Sequence, residues 1–301
     1  MDTIGPNIAF GIDQEPAVAL CSSQVLVEFE HSAPASSSTG PDENIMAFAG
    51  KVVDAGSAVS AFHNADRVVV FDKPSSFQQN LTATHRKIIV PSERLHIIPE
   101  TMSSYVACLH AAALVQATVI IEQKLHLSFS PEQKKPHRGQ VPQGRRVAII
   151  GGETELAVAL VQVLRRVSPN TRIVVFSSMD NQADLFQRTC HLVGLGASFA
   201  IDGALPDLME HAEAMKDEAG IEVIINTVIG QPVRTDLVDV LTGPKVLVEY
   251  QSLRIPTMQS TARVGDSDFS AALYRMLAES ADEFARYVQS PDRCIPQDDR
   301  M

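Results

Sequence analysis

The sequence predicts an α/β protein that combines a doubly wound parallel sheet with a smaller, β-rich domain. Beyond residue 145, short apolar segments alternate with segments of helix length, which is the pattern of consecutive βαβ units. Before residue 127, short β-rich segments are separated by stretches rich in Ser, Pro and Gly, as in antiparallel sheets. Trp is absent and aromatic residues make up only 5% of the chain, so Val, Ile, Leu and Ala have to form the cores.

The first domain is predicted to span residues 1–127. Its strands are expected at the segments QVLVEFE, GKVVDAG, DRVVVFD and RKIIV, and the apolar segment Ser103–Gln123 is expected to be a helix. Ser32–Asn44 consists almost entirely of turn-forming residues and is predicted to be a loop. A helix within 265–301, with its strongest pattern at Asp268–Tyr287, has apolar residues on one side and is expected to pack back on this domain.

A linker and a second domain follow. Residues 128–144 are polar and rich in proline, which favours a linker. Residues 145–264 contain the predicted strands VAII, IVVF, SFAID, EVIIN and KVLVEY, with helices from about residue 154, over 180–193 and 205–217, and near 233–241. Because crossovers between parallel strands are right-handed, this order predicts a doubly wound sheet with helices on both faces.

Composition argues against several classes of partner. The net charge of −11 opposes nucleic-acid binding, which needs a basic face. The first residues show no basic stretch before an apolar one, and no apolar run approaches the roughly 18 residues of a membrane span. The histidines and the four cysteines show no metal-ligand spacing, so no metal is predicted, and Cys108 and Cys190 are interpreted as core residues. We therefore expect a cytoplasmic protein without nucleic-acid or membrane partners.

The turn after the predicted strand VAII contains the first candidate site. In a Rossmann-type dinucleotide site this turn carries glycines, because backbone N–H groups must approach the pyrophosphate closely. Gly151 and Gly152 fit the exit from the strand, but Glu153 and Glu155 stand at the entrance of the helix, where they compete with phosphate and repel it. With Thr154 as N-cap, we interpret the glutamates as capping residues; the alternative is a catalytic acid or base.

Two further positions would border a dinucleotide. Ser177 opens the segment that follows the second strand of this domain, and that segment offers no basic residue for a 2′-phosphate. Asn226 ends the strand EVIIN, and Thr227 and Gly230 follow in the loop over the expected nicotinamide position. A strand-end Asn also commonly caps a turn, so a binding role is one of two interpretations here.

Three segments together resemble the enoyl reductase domain of fungal-type highly reducing polyketide synthases, a branch of the medium-chain dehydrogenase/reductase family. FAGKVVDAGSAVSAFHNADRVVVFD is similar to that family's Gly-Val-Val strand, Val-Gly-Ser turn and Gly-Asp-Arg-Val strand. KIIVPSERLHIIPETMSSYVACLHAAA is similar to its strand, Ile-Pro and Ala-Ala helix, and EVIINTVIGQPVRTDLVDVLTGPKVLVEYQS to its Asn-Ser strand, Gly-containing loop and Phe-Val-Glu-Ile strand. The resemblance covers most of the chain and implies a GroES-like β-rich domain and, in active members, NADPH.

The chain departs from this family where the cofactor would bind. Thr154-Glu155-Leu156-Ala157 stands where the family has Gly-Gly-Val-Gly. The family's Leu-Asn-Phe-Arg-Asp segment, which lines the nicotinamide pocket, is missing after Glu30, and its Gly-Asp-Arg is Ala65-Asp66-Arg67. The resemblance therefore implies a vestigial cofactor site without catalytic residues, comprising Gly151, Gly152, Thr154, Glu155, Leu156, Ala157, Ser177, Asn226, Thr227 and Gly230.

Three functions stay open on this basis. We favour a non-catalytic pseudo-enoyl-reductase domain with no cofactor, which packs against neighbouring synthase domains and leaves enoyl reduction to a separate enoyl reductase or omits it. The alternatives are an active NADPH-dependent enoyl or quinone reductase, and a small-molecule-binding or isomerase-like derivative that keeps the cleft without the nicotinamide. Tyr105, His110 and Lys124 could donate a proton to an enolate, but we interpret them as ordinary surface or core residues. A homodimer through the edge strand KVLVEY is expected.

Overall fold

The computed structural model describes two sheets and the helices that pack on them. It describes residues 19–34, 46–72, 87–125, 127, 146–215, 221–228, 236, 237, 241, 246–249 and 275–279. The predicted linker 128–144, Gly230 and most of the predicted C-terminal helix lie outside these residues.

The first sheet is antiparallel. It is formed by β1 (Gln24–Pro34), β2 (Met46–Ala55), β3 (Arg67–Asp72), β4 (Lys87–Pro91) and β5 (His96–Ile97). The strand order is β4-β1-β2-β3-β5, and a 3₁₀ turn at Ser92–Arg94 connects β4 to β5. Alternating residues of these strands form a core on one face: Val25, Val27, Phe48, Val52, Val68, Val70, Ile88 and Val90.

Strand β1 is longer than the sequence predicts. The predicted loop Ser32–Asn44 is wrong at its start, because residues 32–34 continue β1 and Ser32 pairs with Phe48. The register shifts by one residue between Phe29 and His31, which is a β-bulge. Pairing with the apolar strand β2 outweighs the weak strand propensity of Ser and Pro in this segment, a tertiary effect that local composition does not reveal.

A long apolar helix, α1 (Ser104–Lys124), packs on β1, β2 and β3. Its bounds agree with the predicted helix to within a residue, and Ser103 Oγ caps it by accepting from the Val106 N–H at 3.2 Å. Its stretch Ser104–Glu122 is long and apolar enough to cross a membrane. The expectation that no segment approaches the length and composition of a membrane span is therefore wrong. However, 78% of that stretch is buried inside the fold, as in the core helix of a globular protein.

Cys108 illustrates how deeply α1 is buried. It is 1% exposed, and its thiol donates to Ala47 O at 3.3 Å, which confirms its interpretation as a core residue. Burial raises the pKa of the Cys108 thiol to about 12.

We expect iodoacetamide at pH 8 to modify the exposed Cys21 in the native protein while Cys108 stays unmodified until the chain is unfolded. Mass spectrometry of the two peptides checks this, and equal labelling rates in native protein would contradict it.

The second sheet is parallel. It is formed by β6 (Arg146–Ile150), β7 (Arg172–Ser177), β8 (Phe199–Asp202), β9 (Val223–Asn226) and β10 (Val246–Glu249). The strand order is β10-β9-β6-β7-β8, with β6 at the centre. Along the chain, β7 and β8 follow on one side of β6, and then β9 and β10 on the other. The accompanying helices are α2 (Glu155–Val167), α3 (Gln182–Gly194) and α4 (Leu208–Met215). The predicted fold class, a Rossmann-type parallel sheet plus a smaller β-rich domain, is confirmed.

Helix α1 also packs along α2, so that one core cluster includes residues of both sheets. Residues 275–279 are helical, and their Met276 and Leu277 are buried in the same cluster. In a doubly wound sheet the ligand crevice lies at the carboxyl ends of the strands where the order reverses, here between β6 and β9. The turn that follows β6 therefore borders this crevice.

Candidate functional site

The turn between β6 and α2 holds two glycines against neighbouring strands. Gly151 has φ +94°, and a Cβ there would lie 2.5 Å from both Thr227 Oγ1 and Val228 Cγ2. A Cβ on Gly152 would collide with the side chain of Ser177 at the end of β7. Both positions therefore require glycine for packing within the protein, whether or not a ligand binds.

The backbone donors of this turn are already engaged. The N–H groups of Gly151 and Gly152 both donate to Phe176 O at 2.9 Å. The Ala157 N–H, in the first turn of α2, donates to Thr154 Oγ1 at 3.2 Å. The prediction that Thr154 is the N-cap is confirmed. These three N–H groups are thus bonded within the chain and are not free for a phosphate.

Two threonine hydroxyls close the turn from the other side. Thr154 Oγ1 and Thr227 Oγ1 lie 2.9 Å apart, and each lies 2.9 Å from Gly151 O. Thr227 was predicted to border the nicotinamide, but its hydroxyl fastens the end of β9 to the turn. Asn226 is buried, and its Oδ1 accepts from the Val228 N–H at 3.2 Å, which is the turn-capping arrangement.

The two glutamates at the start of α2 have different partners. Glu153 Oε2 accepts from the Ser178 N–H at 3.1 Å, which ties the turn to the segment after β7. Glu155 Oε1 accepts from Arg188 Nη2 of α3 at 3.0 Å, and its Oε2 lies 3.0 Å from His110 Nδ1 of α1. The interpretation of Glu155 as a simple capping residue is therefore corrected, because its carboxylate joins three helices.

The charge of Glu155 is stabilised by these partners. Burial by itself would raise the pKa of Glu155, but the hydrogen bonds and charges of His110 and Arg188 outweigh burial and lower this pKa to about 2. Arg188 Nη2 also donates to Glu153 O at 3.2 Å. The guanidinium is thus paired with a carboxylate and a carbonyl of the chain itself.

The hydrogen bonds continue from His110 to the C-terminal helical segment. His110 is fully buried, and its Nε2 lies 2.9 Å from Gln162 Oε1 of α2. Gln162 Nε2 donates to Met276 O at 2.7 Å. His110 is therefore a buried residue of a polar network, whereas Tyr105 is 56% exposed and forms an edge contact with the His31 ring, so these two candidate proton donors do not converge.

The remaining predicted residues serve the core. Leu156 and Ala157 are buried on α2, and Ser177 is buried at the end of β7. The Ser177 Oγ has no hydrogen-bond partner among the described residues, while its carbonyl accepts from the Gly203 N–H. Lys124 is the last residue of α1, away from the turn, and Gly230 lies outside the described residues.

Sequence reasoning missed Arg188 and Gln162. Both lie inside helices and match no motif, and their partners are distant in the sequence. For Gln162 a signal exists, because it is a lone amide in the apolar run of α2 and buried polar groups are almost always hydrogen-bonded. Arg188 carries no such signal, since an arginine on a helix is usually solvated.

A cavity of about 340 Å³ lies beside the Glu155–Arg188 pair. It is bounded by the start of α1, the start of α2, the segment after β7 and one side of α3. Among its lining residues are Met102, Val106, Glu155, Met179, Asp184 and Arg188. The walls combine apolar side chains with charged ones, and the volume suits a small organic molecule.

The turn does not fit the phosphates of a dinucleotide. Its glycine N–H groups donate to Phe176 O, and two carboxylates stand at the start of α2, where a phosphate would bind. The nearby cation, Arg188, is already paired with Glu155. The strand and helix of a Rossmann unit are present, but the N–H groups of Gly151, Gly152 and Ala157 donate within the chain itself.

The fold and this site define a class of protein: a Rossmann-type parallel sheet with a smaller, GroES-like β-rich domain. In this chain the glycine N–H groups of the turn after β6 donate to Phe176 O. No protein-family model matches the sequence, and no curated protein matches it.

Solved structures with a similar fold include three proteins described as reductases. The quinone oxidoreductase of Pseudomonas syringae pv. Tomato DC3000 is 16% identical with a TM-score of 0.42, and the match covers 93% of this chain and 84% of that one. The CurK enoyl reductase is 15% identical with a TM-score of 0.40, covering 90% and 81%. A putative NADPH:quinone reductase from Bacillus thuringiensis is 12% identical with a TM-score of 0.47, covering 89% and 81%. At such values the likeness concerns the fold alone.

Proposed function

We propose that this chain is a non-catalytic, reductase-like domain whose own side chains replace the dinucleotide phosphates, and that it has a structural role in a highly reducing polyketide synthase. The observation that carries the proposal is the start of α2. There Thr154 caps the helix, and the carboxylates of Glu153 and Glu155 are bound by groups of the chain itself. No cofactor is required by this arrangement.

Electrostatics supports the loss of cofactor binding. The Glu155 carboxylate, in the first turn, is itself stabilised by the helix dipole, by about 0.3–1 kcal/mol, and Glu153 precedes the N-cap, so an incoming phosphate has to displace or tolerate both charges. NADPH carries several phosphate charges, and a cation that would attract them is needed. Arg188 is the cation beside this turn, and Glu155 neutralises it. The N–H groups of Gly151, Gly152 and Ala157 and the charge of Arg188 are thus used within the protein.

The synthase context rests on the three resembling sequence segments described above. A domain retained without chemistry needs another role, and packing against neighbouring synthase domains supplies one.

We also propose a homodimer, because β10 is the outer strand of the parallel sheet within the described residues and its free edge can pair with a second copy. Sedimentation equilibrium of the full chain tests the dimer, and a monomer at every concentration would refute it.

The direct test is a calorimetric titration of the full chain with NADPH. We expect no measurable binding up to about 1 mM, which corresponds to less than about 4 kcal/mol of binding free energy. Micromolar binding would overturn the proposal and would favour an active NADPH-dependent enoyl or quinone reductase.

A variant tests the physical cause. Thr154→Gly combined with Glu155→Gly and Ala157→Gly removes the cap and the carboxylate and restores glycines, so the affinity for NADPH should rise if the turn alone prevents binding. Glu210→Gly, at an exposed first-turn glutamate of α4, is the matched control and should leave the affinity undetectable. Circular dichroism establishes that both variants are folded.

A second candidate function is small-molecule binding, and the cavity of about 340 Å³ favours it. Its apolar wall includes Met102, Val106 and Met179. Val106→Trp would fill part of this space. If the cavity is a functional site, a hit from a screen of small apolar fragments should protect the wild-type chain against thermal unfolding and fail to protect this variant.

A further inference from the structure

The geometry around His110 determines where its protons lie. The ring is fully buried on α1, with Glu155 Oε2 3.0 Å from Nδ1 and Gln162 Oε1 2.9 Å from Nε2. An imidazole ring has two nitrogens, and a neutral ring carries a proton on only one of them. Two oxygen atoms at hydrogen-bond distance therefore raise the question of which nitrogens donate.

The orientation of the Gln162 amide decides whether Nε2 donates. The Gln162 amide faces Met276 O at 2.7 Å, and a carbonyl oxygen only accepts, so the NH₂ group must point there. The amide oxygen is consequently the atom that faces His110, and Nε2 must donate to it. The opposite amide orientation would place two oxygens against each other at Met276 and is excluded on this ground.

Whether Nδ1 carries a proton follows from the charge of Glu155. The guanidinium of Arg188, which is always charged, donates from Nη2 to Glu155 Oε1 at 3.0 Å, so this carboxyl is ionised. An ionised carboxylate only accepts hydrogen bonds. Nδ1 must therefore donate as well.

We infer that His110 carries a proton on each ring nitrogen and acts as a proton-dependent clasp, which fastens α1 to α2 and, through Gln162, holds residues 275–279 on α2. The Glu155 carboxylate holds the Nδ1 proton more strongly than the neutral Gln162 amide holds the other, so deprotonation removes the proton of Nε2 and sets a lone pair against Gln162 Oε1. The Gln162 amide then has to turn its NH₂ group toward His110 and releases Met276 O. Among the described residues, the charged groups that face this ring are Glu155 of α2 and, behind it, Arg188 of α3. The inference does not depend on the proposed function.

The residues 275–279 have one further polar link to α2. Arg166 Nη1 lies 3.7 Å from Glu279 Oε1, and the Glu279 side chain is 59% exposed. An exposed pair of this kind contributes little. The Gln162–Met276 hydrogen bond is buried and is the polar contact that the clasp controls.

Nitrogen NMR of the full chain tests the proton assignment. At pH 6, both ring nitrogens of His110 should show the chemical shifts of protonated nitrogen, with the exposed His63 as reference. One nitrogen with an unprotonated shift in the folded chain would overturn the assignment. This measurement uses the unaltered protein and does not depend on any variant folding.

Hydrogen exchange tests the clasp. NMR shows at which pH His110 loses a proton. Above that pH, the peptide covering 275–279 should exchange its amide hydrogens about tenfold faster, after correction for intrinsic rates. A factor of about ten is expected for one lost hydrogen bond. Gln162→Glu keeps an acceptor for His110 but cannot donate to Met276 O, so exchange should already be faster at pH 6. Glu279→Gln, at the exposed pair, is the control and should retain the wild-type pH dependence. Protection that does not change across the deprotonation would overturn the clasp.

Discussion

Replacing Glu155 by Ala is expected to lower the free energy of unfolding by about 3 kcal/mol, because it leaves the buried His110 ring and the half-buried Arg188 guanidinium without the carboxylate that both contact. The His110 side chain is 0% exposed and the Arg188 side chain 19%, so water replaces the carboxylate only partly at Arg188 and not at His110. Urea unfolding followed by circular dichroism at pH 7 measures the loss.

The matched control is Glu210→Ala. Glu210 is likewise a glutamate in the first turn of its helix, but it is exposed and has no ion pair among the described contacts. Its replacement should change the free energy of unfolding by less than about 0.5 kcal/mol. Equal losses for the two variants would show that Glu155 acts only through the helix dipole.

Acid should reproduce part of this loss. The folded-state pKa of Glu155, about 2, lies below the ordinary value of 4.5, so the unfolded chain binds the proton more readily. The stabilisation by Glu155 is therefore complete above pH 5 and is lost as the pH falls from 4.5 toward 2. Glu155→Gln should flatten the acid limb of a plot of unfolding free energy against pH over that window.

Gly151→Ala is expected to cost about 3 kcal/mol, by adding an unfavourable positive φ to a steric collision. The new Cβ would lie 2.5 Å from Thr227 Oγ1 and Val228 Cγ2. Thr227 cannot simply turn away, because its hydroxyl oxygen lies within 3.0 Å of both Ile150 O and Gly151 O and donates its one proton there. Thermal or urea unfolding measures the cost.

Ala65→Gly provides a control of opposite sign. Ala65 is exposed and has φ +73°, a conformation that glycine adopts freely. It occupies the position where the resembled family has Gly in its Gly-Asp-Arg pattern. Removing the Cβ should therefore stabilise the fold by up to about 1 kcal/mol. Destabilisation by both Gly151→Ala and Ala65→Gly would contradict the backbone argument.

Local patterns predicted most elements. The apolar strands of the parallel sheet and the long helix lie within one residue of their predicted bounds, because strand and helix periodicity depend on neighbouring residues. The end of β1 was predicted wrongly, since Ser32 is held in the sheet by its pairing with Phe48 of another strand. Thr154 was assigned correctly because an N-cap is a local feature.

The sequence by itself determined the fold class and the N-cap of α2. Only the tertiary structure decided what Glu155 does, because its partners His110 and Arg188 are 45 and 33 residues away along the chain. The same holds for the contact between Gln162 and Met276, which are 114 residues apart. Side-chain periodicity is set within a few residues, whereas the pairing of buried polar groups depends on which helices the fold brings together.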